Sequence, residues 1–211
     1  MNTLIIGTHG SGKSVLAEDL AVQTGDPFRY YLATMQAVDA AGRQRVLRHR
    51  MQREGKGFVT IEIAYDITKA LLRMAHASEA TVLLECAANL VGNEMHRAGF
   101  PEAGSEGTGL RENPVRSIAQ ERFACSILKD IQTLAAHVRN LIIVTDVYEK
   151  DGAGYDDSTR QYVKLLDLVN EKLLEYVDRV CDVRDAQICR RSPSDRPQRR
   201  TRSVLSSGDA E

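Results

Sequence analysis

The sequence holds only four cysteines, Cys86, Cys125, Cys181 and Cys189, and no C-x-x-C pair among them. That scatter excludes a disulfide framework and the usual zinc spacing, and the thiols read as small buried hydrophobes. A surplus of either charge is missing too: 28 Lys and Arg against 29 Asp and Glu give a formal net charge of -1. No nucleic-acid partner is expected from that balance. No apolar run reaches the roughly 18 residues of a membrane span, and Met1-Asn2 leads straight into an apolar strand rather than a signal peptide. These absences point to a cytoplasmic chain. No internal repeat is visible. What remains is 211 residues, 43% of them hydrophobic, enough for one domain with a substantial core.

The most specific local signal is GTHGSGKS, from Gly7 through Thr8, His9, Gly10, Ser11, Gly12 and Lys13 to Ser14. It fits G-x-x-x-x-G-K-[ST], with an apolar strand before it and a helical pattern after it, which is the context a phosphate loop requires. Its glycines let successive backbone N–H groups point at one anion, and the following helix adds its positive end. Lys13 is placed to reach the β- and γ-phosphates and Ser14 to ligate Mg²⁺. The loop implies a nucleotide and leaves the reaction open.

Short apolar runs alternating with helical stretches predict an α/β fold with a mainly parallel sheet. The strands are expected at residues 3–6, 29–33, 59–63, 81–85, 140–145 and 179–183. Helices are expected over 13–23, from a cap at Asp66 through Met74, from a capping box at Ser117 and Gln120 through Val138, and over 159–176. Residues 97–114 carry four glycines and two prolines and read as a long loop or lid. From Arg184 onward seven arginines face four acids in a segment poor in apolar residues. The catalytic domain is therefore expected over 1–183, and 184–211 reads as a disordered, solvated tail.

A second basic cluster lies between Asp39 and Glu62. Arg43, Arg45, Arg48, Arg50 and Arg53 precede the next acid, Glu54, and on a helix Arg45, His49 and Arg53 share one face. Such a stack is either a solvated surface or a second phosphate contact. For His49 the positive field has a chemical consequence. It lowers the imidazole's pKa and leaves a neutral nitrogen able to attack phosphorus, while the guanidiniums neutralise the phosphate. A carboxylate at the end of an apolar strand, Glu85, is where a Mg²⁺-ordering acid belongs.

Several segments in order resemble one family, the bifunctional adenosylcobinamide kinase/adenosylcobinamide-phosphate guanylyltransferases of cobalamin assembly. They are Gly7 to Ser14 with Ala17-Glu18, Tyr31 to Thr34, Asp39 with R-V-L-R-H-R-M-Q-R at Arg45 to Arg53, Phe58 to Glu62, L-L-E-C-A-A-N-L-V-G-N at Leu83 to Asn93, and R-x-Y-x-x-x-L-x-x-x-N at Arg160 to Asn170. The resemblance implies a RecA-like P-loop fold and two reactions that use GTP, ATP and Mg²⁺. One phosphorylates the aminopropanol arm of adenosylcobinamide; the other moves GMP from GTP through a guanylylated histidine to give adenosylcobinamide-GDP. The histidine maps to His49. Nucleotide contacts map to Ala33, Thr34, Met35, Arg50, Met51, Gln52, Arg53, Glu62 and Glu85, and a homotrimer is implied. The chain departs from the family pattern at Ala41-Gly42, at Thr145 to Tyr155 and in its arginine-rich ending.

Overall fold

The computed structural model describes residues 1–99, 114–148, 154–183 and 189–191. Strands β1 (Asn2–Gly7), β2 (Phe28–Ala33), β3 (Phe58–Glu62), β4 (Ala80–Glu85), β5 (Asn140–Asp146), β6 (Arg179–Asp182) and β7 (Cys189–Arg191) form one sheet in the order β3-β2-β4-β5-β1-β6-β7. The first six pair in parallel and β7 pairs antiparallel with β6. The helices are α1 (Lys13–Gln23), α2 (Ala40–Gln52), α3 (Ala87–Arg97), α4 (Pro114–His137) and α5 (Asp157–Tyr176). This is the expected α/β arrangement of a mainly parallel sheet flanked by helices, with the acid-bearing strand β4 separated from the loop-bearing β1 by β5.

A parallel sheet is covered on both faces, so its central strands read as continuous apolar runs. Leu4 and Ile5 of β1, Leu83 and Leu84 of β4, and Leu141 and Ile143 of β5 are all fully buried. Helix α1 packs on β1, β4 and β5, while α5 packs against α3 and α4. Two side chains of the late Arg160-to-Asn170 motif fasten α5 in place. Tyr162 donates to the Ala88 carbonyl at 3.2 Å, and the Asn170 amide accepts from Thr145 Oγ1 at 2.8 Å and donates to the Asp146 carbonyl at 3.0 Å. That fixes the end of β5.

Some expectations are corrected. The Asp66 segment is a 3-10 helix, Ile67–Arg73, and Asp66 takes φ 48 without capping it. Its carboxylate instead pairs with Lys69 and Arg97, which hold it far below the usual carboxylate range. Helix α4 begins at Pro114, so Ser117 lies inside it and caps nothing. Cys125 is exposed, whereas Cys86 and Cys181 are buried. Within the arginine-rich ending, Cys189–Arg191 forms the antiparallel edge strand; residues 184–188 and 192–211 lie outside the described residues, as do 100–113 of the expected lid. Among the described residues no helix is long and apolar enough to cross a membrane.

Candidate functional site

Parallel pairing brings the carboxyl ends of the strands to one edge, where open α/β sheets bind ligands. The register sets Gly7 beside Asp146, and Ala33 beside both Glu62 and Glu85. Gly7 is there for space: a Cβ on it would sit 2.5 Å from Ser11 Oγ and 3.2 Å from Val183. Gly12, at φ 83, turns the chain into α1 in a conformation that other residues resist. Thr8, His9 and Gly10 are exposed at the tip, and Ser11 Oγ is buried without a partner.

Two carboxylates flank the loop and have different partners. The Lys13 ammonium, nearly buried, donates to the Thr8 carbonyl at 2.7 Å and lies 2.6 Å from Asp146 Oδ1. Ser14 Oγ donates to Glu85 Oε1 at 2.8 Å, while Glu85 Oε2 is buried and unpartnered. Burial pushes the Glu85 carboxyl up to about 7, with Asp146 and Glu18 adding to the rise and Ser14 and Lys13 opposing it. An orphaned carboxylate oxygen beside a serine hydroxyl fits a hard cation, so Ser14 and Glu85 are the residues that would hold Mg²⁺. Among the described residues no cluster of three or more His, Cys, Asp and Glu could hold a metal. Phosphate oxygens and water would complete the shell.

Because Glu85 ionises from about 7 in the folded chain against an ordinary 4.5, the fold holds its proton more tightly than the unfolded chain does. In Mg²⁺-free buffer its contribution to stability therefore declines as pH rises from about 4.5 to about 7, and the penalty is complete above that. Glu85→Gln is expected to raise the melting temperature at pH 8 and to flatten that part of the profile. Calorimetry from pH 5 to pH 8 checks this; superimposable profiles would refute it.

Thr34 serves the scaffold with its side chain. Fully buried, its Oγ1 accepts from the Cys86 N–H at 2.8 Å and lies 3.0 and 2.9 Å from the Glu85 and Cys86 carbonyls, while its own carbonyl accepts from Asn93 at 2.8 Å. The hydroxyl thus fastens the end of β4, where Glu85 sits, to the end of β2. Thr34→Val keeps the shape and orphans the Cys86 N–H, so unfolding free energy should drop by ~1–3 kcal/mol. A denaturant midpoint unchanged from wild type would show that this network contributes nothing.

The other residues expected at the site gather on α2 and β3. Asp39 caps α2 by accepting from the Gly42 N–H at 2.6 Å, with Met35 close beneath that first turn. Arg50, Met51, Arg53, Glu62, Thr60 and Arg73 line a cavity of about 790 Å³ together with the glycine turn around Gly55 and Gly57. Arg50 pairs with Glu62 at its exposed rim. The Arg53 guanidinium lies 3.5 Å over the Tyr31 ring, with its Nε and one terminal nitrogen buried and unpartnered. Gln52 Nε2 is likewise buried without a partner. This cavity and the phosphate loop are not contiguous: three strands lie between β3 and β1. At about 4.8 Å per strand that separates the two strands by roughly 19 Å.

His49 is half-buried on α2, with Nδ1 enclosed and unpartnered. Its pKa is lowered, first by burial and then by Arg53, Arg45 and Arg48, with Glu18 opposing. The expected direction holds, although burial contributes more than any single guanidinium does. Two acids near the site were not expected from the residues: Asp146, which takes Lys13, and Glu18, fully buried on α1. Asp146 ends an apolar strand just as Glu85 does, and that shared pattern is the signal that would have found it.

The family model described as cobinamide kinase / cobinamide phosphate guanyltransferase matches residues 3–185. The chain belongs to this family. It is therefore a transferase of cobalamin biosynthesis with the two activities that the family's description carries. No curated protein matches it. Among solved structures it is similar to the flagellar accessory protein FlaH from Methanocaldococcus jannaschii, at 11% identity and TM-score 0.39, over 86% of this chain and 70% of that one. The cobinamide kinase / guanyltransferase family assignment rests on the sequence match, which takes in the loop, α2, both site acids and α5.

Proposed function

We propose that the phosphate loop passes a γ-phosphoryl group from ATP or GTP to the hydroxyl on the aminopropanol arm of adenosylcobinamide, and that His49 carries GMP from GTP to the resulting phosphate. In the first reaction the loop N–H groups and Lys13 hold the triphosphate, and positioning supplies most of the rate. Mg²⁺ bound at Ser14 and Glu85 would neutralise the charge developing on the phosphate oxygens. In the second, the neutral His49 imidazole attacks the α-phosphorus while Arg45, Arg48 and Arg53 offset the phosphate charge. The cavity beside β3 would take the nucleoside, with Arg50, Met51, Gln52 and Glu62 near the base and Ala33 to Met35 on the loop's side.

The observation that carries this reading is a half-buried histidine with lowered pKa among three arginines, on the helix that follows the strand next after the phosphate loop. Incubation with GTP labelled at the α-phosphate tests it. Acid-labile, base-stable label on the wild-type chain supports a guanylylated histidine, and a chain left unlabelled would sink it. The chain is further read as a cytoplasmic homotrimer that binds no nucleic acid. The exposed Leu47 and Leu72 offer apolar surface for subunit contact. Light scattering on the purified protein checks the trimer; a monomer would refute it.

A further inference from the structure

Glu85 and Asp146 both end apolar strands beside the phosphate loop, and their surroundings suit them to different tasks. Glu85 accepts from Ser14 and belongs with the cation. Asp146 stands opposite Gly7 in the register and beside Lys13, with its side chain 15% exposed, so it is screened from bulk water without being sealed off. Its Oδ1 lies 2.6 Å from the Lys13 ammonium and yet is enclosed without a hydrogen bond: the contact is one of charge, not of a directed donor. Its Oδ2 has only the Cys86 thiol, at 3.8 Å, which burial first and then the charges of Glu85 and Asp146 keep protonated. The backbone around Asp146 is fixed on both sides. The Val147 N–H donates to the Gly7 carbonyl at 3.2 Å, and Asn170 donates to the Asp146 carbonyl at 3.0 Å while accepting from Thr145 at 2.8 Å. A carboxylate on so firm a frame stays in place when Lys13 turns to a triphosphate, and it then loses its only charged partner among the described residues.

We infer that Asp146 is the catalytic base of corrinoid phosphorylation: with Lys13 drawn onto the γ-phosphate, its carboxylate takes the proton of the acceptor hydroxyl as that oxygen attacks. The inference rests on the phosphoryl-transfer reading above. Reach supports it. An ammonium that contacts the carboxylate on one side and a phosphate oxygen on the other, each at about 3 Å, sets the two about 5–6 Å apart. One hydroxyl bridges that span, since its oxygen attacks from about 3–3.5 Å and donates its proton over about 2.6–3.2 Å. In the step itself a lone pair of the acceptor oxygen forms the bond to the γ-phosphorus. The bond from that phosphorus to the β–γ bridging oxygen breaks, and the nucleoside diphosphate leaves with the electron pair. The hydroxyl proton passes to Asp146, which gives it up to water once the phosphorylated corrinoid departs. Glu85 is the poorer candidate, because Ser14 already occupies the oxygen it turns toward the loop.

Asp146→Asn, which keeps the shape and removes the proton acceptor, tests this on the full chain at saturating nucleotide, whose phosphates give Lys13 a partner and so support the fold. The kcat for corrinoid phosphorylation should fall about 100-fold or more, the range for losing a general base. The KM for the nucleotide and the rate of GMP labelling should each stay within about threefold, because the lost interaction belongs to the transition state of one reaction. Phosphorylation within about tenfold of wild type overturns the inference. So does a rate restored by raising Mg²⁺, which would make Asp146 a residue that orders the cation, and so does nucleotide affinity lost in step with the rate, which would make it a partner of the loop alone. Asp146→Ala gives an independent readout, and it decides alone should Asp146→Asn not accumulate as folded protein. Formate can stand in for the missing carboxylate, so it should raise the rate several-fold and saturably where chloride at equal ionic strength does not; equal effects of the two salts overturn the assignment. A wild-type chain that leaves the corrinoid unphosphorylated would sink the phosphoryl-transfer reading and this inference with it; an active wild type beside an equally active Asp146→Asn sinks this inference alone.

Discussion

Lys13→Ala is expected to lower phosphorylation of the corrinoid by about 100-fold or more, equal to about 2.7 kcal/mol of transition-state stabilisation. The reason is positional. Lys13 is nearly buried, its ammonium is held at 2.7 Å by the loop's own Thr8 carbonyl and at 2.6 Å by Asp146, and it sits where a β- or γ-phosphate would replace the carboxylate. Loose phosphoryl transition states are stabilised mainly by charges already in place, and an alanine supplies none. Removing the lysine also strands Asp146 against β1, and an unpaired, mostly buried carboxylate destabilises a fold by itself. The double variant Lys13→Ala, Asp146→Asn separates the two effects: it should recover the melting temperature and stay inactive. A near-normal rate in either variant would show that the loop is not the catalytic phosphate site.

His49→Asn is expected to abolish covalent GMP labelling and formation of adenosylcobinamide-GDP, while the variant folds, binds GTP and retains kinase activity. An amide of similar size cannot form and break a bond to phosphorus. In the proposed reading phosphoryl transfer draws on Lys13, Ser14 and Glu85, none of which hydrogen-bonds to His49. The wild-type imidazole is available near neutral pH because burial, and then Arg53, lower its pKa. Labelling should accordingly persist somewhat below the ordinary histidine range and fall away in stronger acid. Labelling of the variant to wild-type stoichiometry would place the nucleophile elsewhere.

Sequence and structure agree most closely where the determining interactions are local or the burial is two-sided. The six parallel strands lie within a residue or two of their expected bounds, because runs such as Leu4 to Ile6 and Leu141 to Val144 are apolar for both faces at once. The phosphate loop is legible for a similar reason, since its glycines and lysine act within eight residues. Asp146 is not legible in the same way. Its place beside Lys13 comes from the register of β5 on β1, strands more than a hundred residues apart in sequence. Thr34 shows the opposite hazard: it sits in a segment that maps to nucleotide contact, yet its side chain is taken up by the β2 and β4 ends. At Asp66, tertiary pairing with Arg97 prevailed over a local preference for capping. The short edge strand Cys189–Arg191 carries two arginines and no apolar pattern, so periodicity had nothing to register.

The place of β1 in the sheet bears on how the chain comes to be folded. It is the earliest of the seven strands in sequence, yet its neighbours are β5 and β6, and its backbone is completed by Asp178 donating to Asn2 and Val183 donating to Ile6. Those partners lie far along the sequence. Asn2 pairs with Leu141 and Thr3 with Arg179, so the apolar strand and the nucleotide loop behind it gain their two native edges only through contacts of very long sequence separation, which form slowly. Chains interrupted before β6 would therefore carry every residue of the phosphate loop and still lack one side of the frame that shapes it, and nucleotide binding would report on the docking of β6 as well as on the loop itself.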